Sequence, residues 1–397
     1  MSRNHRITDA IKSFHGDLTA WRRDIHAHPE LGFDEHRTSD FVAKKLTDFG
    51  ITVHRNVGKT GVVGVLQTGN GPTIGLRCDM DALPIEEIVD VPYKSTRPGV
   101  MHACGHDGHT TMLLGAARYL AETKRFDGTV YFIFQPAEEG IGGALAMLED
   151  RLFERFPCDS VFGMHNTPGL PVGKFAIRPG SMMAGGAFFD IDMTGRGSHG
   201  ARPEESVDPV LVASHVVTSL QAIVSRNLTP TATAVVSCTA IKSGDAYNVI
   251  PQTANIKGTV RTYSKDVMAQ IEAAMRRTVA GTVAAFGATA KVTFEVKFVP
   301  LVNDTAETQF IADRAADLVG SADVERNRGL IMASEDFSFM LEKCKGAYIN
   351  IGNGEAGTPT GVPVHNPAYQ FNDEILPLGS ALYASLVEAK LGSLAAA

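Results

Sequence analysis

Thr129-Val-Tyr-Phe-Ile-Phe-Gln-Pro-Ala-Glu-Glu-Gly140 is an unbroken apolar run that ends abruptly in a proline and two carboxylates. A run of that length without polar alternation is what a strand covered on both faces requires, as in a parallel sheet sandwiched by helices. Its surroundings agree. Before it, Gly108 to Thr123 is rich in Ala and Leu and reads as a helix; after it come a helix over Gly142–Asp150 and a strand over Ser160–His165. Strands alternating with helices predict an α/β layer with a mixed, mostly parallel sheet. Further upstream, residues 8–29 have helical apolar spacing and stop at Pro29, and a second helix covers Glu35 to Phe49. Strands are expected over Ile51–Val57, Gly61–Gln67 and Thr73–Arg77, the last two joined as a hairpin by Thr68-Gly-Asn-Gly-Pro72.

The texture changes near Gly185. Phe188 to Met193 alternates like a half-buried strand, Pro209–Arg226 reads as a helix, and Ala232–Ile241 and Ala254–Tyr263 as strands. A helix over Val267–Phe286 and a strand over Lys291–Val299 come next. The order β-α-β-β-α-β is that of a ferredoxin-like α+β unit. The α/β texture resumes after Asn303-Asp304, so one domain is expected inside another: 187–301 within a domain made of 1–186 and 302–397.

The formal net charge of −7 argues against a nucleic-acid partner. The five cysteines are widely spaced and odd in number, which argues for free thiols in a reducing compartment. With no apolar leader at Met1 and no long apolar run, the expectation is a cytoplasmic protein with no membrane span.

Residues able to do chemistry collect at predicted strand ends. In Met101-His-Ala-Cys-Gly-His-Asp-Gly-His-Thr110, Cys104 and His106 can face one centre only if the backbone between them is irregular, which Gly105 permits. A thiolate beside an imidazole suits Zn²⁺ or a related ion; the same stretch also reads as a helix start with a buried cysteine and surface histidines. Glu138 and Glu139 stand just past the strand quoted above, either as a pair dividing metal binding from proton transfer or as an acidic first helical turn. Asp79-Met-Asp81, His165 and His365 stand at further strand or loop ends. Ligand sites in open α/β sheets gather at the carboxyl ends of strands, and several independent ends here carry a metal-competent side chain. His26-Ala-His28-Pro-Glu30 looks like a metal motif but is set aside as one, because its histidines fall on different sides of a helix end. Gly140-Ile-Gly142-Gly143 lacks the full dinucleotide fingerprint.

Together these segments resemble the amidohydrolase branch of the M20 metallopeptidases, which includes hippurate hydrolases, N-acyl-amino-acid deacylases and auxin-conjugate hydrolases. The resemblance runs over nearly the whole chain, through Trp21-Arg-Arg-Asp-Ile-His-Ala-His-Pro-Glu-Leu-Gly32, Asp79-Met-Asp-Ala-Leu-Pro-Ile85, the Cys104 and Glu138 segments, Ser198-His-Gly-Ala-Arg-Pro203, Ser334-Glu-Asp-Phe337 and Val364-His-Asn-Pro367. It implies a pair of divalent ions (Zn, Mn, Co or Ni) held by Cys104, His106, Glu139, His165 and His365, with Cys104 bridging. It also implies Glu138 as the general base toward a metal-activated water, Asp81 as a carboxylate orienting a ligand, and His199 polarising the substrate carbonyl, in cis or from a neighbouring subunit. Asn248 and Arg261 fit the family's positions for contacts to substrate oxygens. The inserted domain resembles a lid or dimerisation domain, which implies a homodimer or homotetramer. The implied reaction is hydrolysis of the amide bond of a small N-acyl amino acid. A dipeptidase of the same fold and a catalytically silent metal-binding relative are the competing readings.

Overall fold

The computed structural model describes residues 3–392. The chain divides into two compact units: Met1–Gly180 with Val302–Gly329 and Asp336–Ala397, and Ser181–Leu301 with Leu330–Glu335. The boundaries differ from the sequence expectation at two places, since the second unit begins at Ser181 and takes in Leu330–Glu335 from beyond the resumed α/β texture.

The first unit is built on an eight-stranded sheet in the order Thr52–Val57, Gly61–Thr68, Gly128–Gln135, Thr73–Asp79, Ser160–Gly169, Gly346–Glu355, Phe175–Ala176, Val324–Glu325. Its four central members, from Gly128–Gln135 to Gly346–Glu355, are mutually parallel. Antiparallel pairing joins Gly61–Thr68 to this block on one side and Phe175–Ala176 on the other. Val130, Phe132, Ile133 and Phe134 are all fully buried, as an apolar run with both faces covered must be.

The expected hairpin between Gly61–Gln67 and Thr73–Arg77 does not form. Strand Gly128–Gln135 lies between the two, antiparallel to one and parallel to the other. The hairpin is one connection earlier, Thr52–Val57 with Gly61–Thr68, turning through Gly58 and Lys59, both at positive φ. The Gly-rich 69–72 segment instead packs on the loop before Gly128, where Asp127 accepts from the Asn70 and Gly71 N–H groups. Turn chemistry announces that the chain reverses, and it does not choose the neighbour the next strand pairs with. The single N-terminal helix expected over 8–29 is two, Arg3–Lys12 and His15–Ala27, interrupted at Ser13-Phe14.

Helix His106–Thr123 is buried over almost its whole length and packs against Leu376–Lys390. The helices touch closely because Gly379 has no side chain. A Cβ there would stand 2.0 Å from Met112 Sδ. Ser380 Oγ beside it donates to the Met112 carbonyl at 2.8 Å. This clamp fixes the helix at Met112, one turn beyond the first turn that carries the site.

In the second unit the antiparallel sheet runs Ala234–Lys242, Thr253–Thr262, Gly185–Thr194, Thr289–Phe298. With helices Pro209–Leu220 and Lys265–Ala285 the chain order is β-α-β-β-α-β. Gly185–Thr194 alternates buried and exposed toward its end, and Phe189, Ile191 and Met193 join Val212, Val216, Ile271 and Met275 in one core. Asp208 and Ser264 cap the two helices, their side chains accepting from Val210 N and Val267 N respectively. The first of these helices ends as α-helix at Leu220, not Arg226, and passes into a π-helical turn over Ile223–Asn227.

All five cysteines are free thiols. Among the described residues no helix is long and apolar enough to cross a membrane.

Candidate metal centre

Parallel pairing brings the carboxyl ends of the central strands side by side. Asp79 and Gln135, the last residues of their strands, are register partners; His165, expected to close its strand, instead lies midway along Ser160–Gly169, opposite Asn350. Each strand then leaves the sheet in a loop bearing the residues expected to do chemistry. Asp81 comes just after Asp79, Glu138 and Glu139 come just after Gln135, and Cys104 and His106 arrive at the start of the buried helix.

Gly105 provides the irregular backbone that lets Cys104 and His106 converge. It sits at φ +97°, and a Cβ there would lie 2.4 Å from Asn166 Oδ1 and 2.6 Å from Tyr369 Oη. Cys104 Sγ then comes 3.3 Å from His165 Nε2. The other nitrogen of His165, Nδ1, donates to the Asn166 carbonyl at 2.5 Å, leaving the Nε2 lone pair turned to the thiol. His365, at φ +64°, brings Nε2 to 3.1 Å from Glu139 Oε1, and His106 Nε2 lies 4.0 Å from the same oxygen. Asp81 ties the two sides together. Its Oδ1 is 3.2 Å from His106 Nδ1, and its Oδ2 accepts the Glu139 N–H at 3.0 Å.

Among the sets of donor atoms lying within 4.8 Å of one another are Cys104, His106 and His165; Cys104, Glu139 and His365; and His106, Glu138 and Glu139. Cys104 is common to the first two. Two buried atoms of this cluster, His106 Nε2 and Glu139 Oε1, have no hydrogen-bond partner. A buried polar atom left in that condition is costly unless something else fills the role, and both face the middle of the cluster.

The electrostatics call for positive charge at the same place. Burial lowers the His106 pKa, but Asp79 and Asp81 outweigh it and hold the imidazole at about 10. Burial, with Glu139 and Glu138, raises the Cys104 thiol well above its usual range; a thiol ligates metal only as thiolate, so a cation bound there would have to displace that proton. Burial and His109 push His165 well below its ordinary value and keep it neutral, the form a metal ligand needs. A thiol, imidazoles and carboxylates gathered around buried polar atoms that lack hydrogen bonds fit divalent transition ions.

Comparison with known proteins bears on the same residues. Residues 75–389 match peptidase family M20/M25/M40. The chain belongs to that family. It is 44% identical over 377 residues to a hippurate hydrolase from Campylobacter jejuni, covering 95% of this chain and 97% of that one. It is 37% identical over 380 residues to an N-acetylcysteine deacetylase from Bacillus subtilis, covering 95% and 97%. Among solved structures it resembles a dinuclear metal binding peptidase of the M20 family from Bacillus subtilis, with a TM-score of 0.83, 34% identity, and coverage of 96% of this chain and all (100%) of that one.

Of the residues picked out in the M20 motifs, Asp81, Cys104, His106, Glu138, Glu139, His165 and His365 come together in the first unit. His199, Asn248 and Arg261 belong to the second. There His199 pairs with Val249 across a two-stranded bridge, and both His199 and Asn248 are exposed. Arg261 is half-buried, its Nη1 donating to Thr259 Oγ1 at 2.5 Å and to the Val260 carbonyl at 2.9 Å.

The M20 site also rests on contacts that sequence reasoning does not give. Asp79 accepts from His109 Nδ1 at 2.6 Å and from buried Arg77 at 2.8 Å. His26 is in none of the candidate metal groups among the described residues, yet it supports the site. It is buried behind the metal loop, with Nδ1 2.8 Å from Asp107 Oδ2 and Nε2 3.2 Å from Glu87 Oε1. Nothing in the spacing of His26 and His28 points to this, because the partners lie 61 and 81 residues away. Burial works against the His26 charge, yet the bonds to Asp107 and Glu87 raise its pKa from 6.5 to about 8.

A group whose pKa is raised on folding stabilises the fold fully below its unfolded pKa and loses that contribution as pH rises through the folded one. Relative to His26→Gln, the wild type is therefore expected to be more stable at pH 6 than at pH 9, the gap closing by about 2 kcal/mol across that window. Urea unfolding of both proteins at the two pH values measures it. A gap that stays constant or widens at pH 9 rules the linkage out.

Proposed function

We propose that the protein is a metal-dependent amidohydrolase that cleaves the amide bond of N-acyl amino acids. The observation that carries this reading is the cluster of donors around His106 Nε2 and Glu139 Oε1, buried atoms without a hydrogen bond, with a second carboxylate, Glu138, alongside. Cys104, His106, Glu139, His165 and His365 would hold the divalent ions. When bound, the ions supply the Lewis acidity that makes an amide carbonyl electrophilic and water acidic near neutral pH.

The chain's own residues do the rest. Glu138 takes a proton from the attacking water and passes it to the departing nitrogen, without which an amine anion would have to leave. Its Oε1 accepts the Asp336 N–H at 3.3 Å, which keeps the carboxylate turned in one direction. Asp81 fixes His106 through Nδ1, so that Nε2 is the nitrogen offered to an ion. His199 steadies the developing oxyanion, and Asn248 and Arg261 receive the substrate's oxygens, Arg261 as a partner for a free carboxylate. The second unit serves as the lid that carries these three, and as the surface through which subunits pair. The nature of the relatives, a hippurate hydrolase and an N-acetylcysteine deacetylase among them, supports a small acyl amino acid as substrate.

Release of free amino acid from hippurate, N-acetylcysteine, an indole-acetyl amino acid and unblocked dipeptides tests the proposal. Each is incubated with Mn²⁺, Zn²⁺, Co²⁺ or Ni²⁺, and with a chelator. Cleavage of the acyl amino acids that the chelator abolishes and added ion restores is the expected result. Cleavage of dipeptides alone would make the protein a peptidase, and silence with every ion would remove the enzymatic reading.

A further inference from the structure

Glu35 stands at the start of helix His36–Asp48, where an acidic side chain ordinarily bonds the helix's own first N–H groups. Its side chain makes no such bond. Glu30 does that work, accepting from Arg37 N at 3.0 Å and from Thr38 N at 2.8 Å. The Glu35 carboxylate is free to turn inward, and it is fully buried. One oxygen accepts the Ala137 N–H at 2.7 Å and the other accepts the Thr60 hydroxyl at 2.6 Å.

Ala137 immediately precedes Glu138 and Glu139. It lies at φ +49°, a left-handed conformation that a residue with a Cβ seldom adopts and that its surroundings must enforce. The turn it makes leads the chain out of strand Gly128–Gln135 and into the site, and the Gly143 N–H closes it by donating to the Ala137 carbonyl at 3.0 Å. Further along the loop, Asp81 holds the Glu139 N–H at 3.0 Å. Two carboxylates from separate parts of the chain thus grip the backbone on either side of Glu138. The segment around Glu35 reaches the Asp81 loop as well, through the Ala82 N–H donating to the Glu30 carbonyl at 2.8 Å.

We propose that Glu35 is a positioning residue for the reaction: by holding Ala137 N–H it keeps the loop in the left-handed turn that aims Glu138 at the attacking water. This rests on the role of Glu138 given above. The demand on Glu35 is for an acceptor of the right shape and not for a charge. Burial raises its pKa to about 7, Thr60's hydrogen bond opposing and Asp81's charge adding. Near neutral pH it therefore spends much of its time as a neutral acid, which glutamine copies. An amide oxygen can accept from Ala137 N–H while its NH₂ donates to Thr60 Oγ1.

Glu35→Leu and Glu35→Gln, each loaded with the ion that best supports the wild type, distinguish the possibilities. Glu35→Leu is expected to lose about 10²-fold in kcat, the scale of a misplaced reacting group, with KM within about twofold. Its metal content should equal that of the wild type, while Glu35→Gln stays within about threefold of wild-type kcat. Retention of kcat in Glu35→Leu overturns the proposal. So does an equal loss in both variants, which would make charge the requirement. Should Glu35→Leu not fold, Thr60→Val removes one of the two bonds that fix the carboxylate; a several-fold fall in kcat at unchanged KM supports the proposal, and unchanged kcat overturns it. A wild type that hydrolyses no acyl amino acid would fail the functional reading itself, which is a different result from any of these.

Discussion

Glu138→Gln is expected to bind the same complement of divalent ions as the wild type and to lose about 10³-fold or more in kcat. The substitution keeps size and shape, and the amide oxygen can still accept from Asp336 N–H, the contact that orients the carboxylate at 3.3 Å. What it removes is a group able to take and return a proton. General acid–base catalysis is ordinarily worth about 10²- to 10⁴-fold. Amide hydrolysis lies at the demanding end of that range, because both the water and the departing nitrogen need the proton moved. Steady-state rates on the best acyl amino acid, with metal content measured on the same samples, decide the matter. Retention of more than a few per cent of wild-type kcat would show that Glu138 is not the base.

The second large effect is expected at Cys104. Its Sγ belongs to both donor groups, the one with His106 and His165 and the one with Glu139 and His365. His365 belongs to one. Cys104→Ala should therefore leave the protein with little bound metal and about 10³-fold less activity, whereas His365→Ala should keep the ion held by the other group. Metal analysis after gel filtration reads the difference directly. Equal metal content in the two variants would mean that the thiolate is not shared. The same chemistry predicts proton release on loading, since the Cys104 thiol is held protonated by burial and by Glu139 and Glu138 until a cation displaces the proton.

Much of the site is legible in the residues because α/β geometry is so restrictive. Once Thr129–Phe134 is recognised as a strand covered on both faces, the residues just past its end have to emerge at the carboxyl edge of a sheet. Cys104, His106, Glu138, Glu139 and His165 can then be placed near one another without knowing a coordinate. His365 is found by motif alone, and the feature that brings it to the site is a left-handed backbone that no periodicity reveals. The supporting residues are not legible in the same way. The supporting role of His26 is hidden in the sequence because its partners, Asp107 and Glu87, are far off in the chain. Glu35 looks like an ordinary helix start because only the fold shows Glu30 taking over the capping.

The sequence by itself determined which segments are strands and helices, that one texture is interrupted by another, and which side chains can bind metal. Those properties are local, set by hydrophobic period, by turn residues and by the chemistry of single side chains. Tertiary structure alone decided that Gly128–Gln135 lies between two strands expected to pair with each other, and that Leu330–Glu335 joins the second unit. It also decided that Glu35 turns from its own helix to the loop of Glu138. The physical reason is the same in each case. Strand neighbours and buried hydrogen-bond partners are selected by the free energy of the whole packed unit, in which the preference of any one turn or cap is a small term.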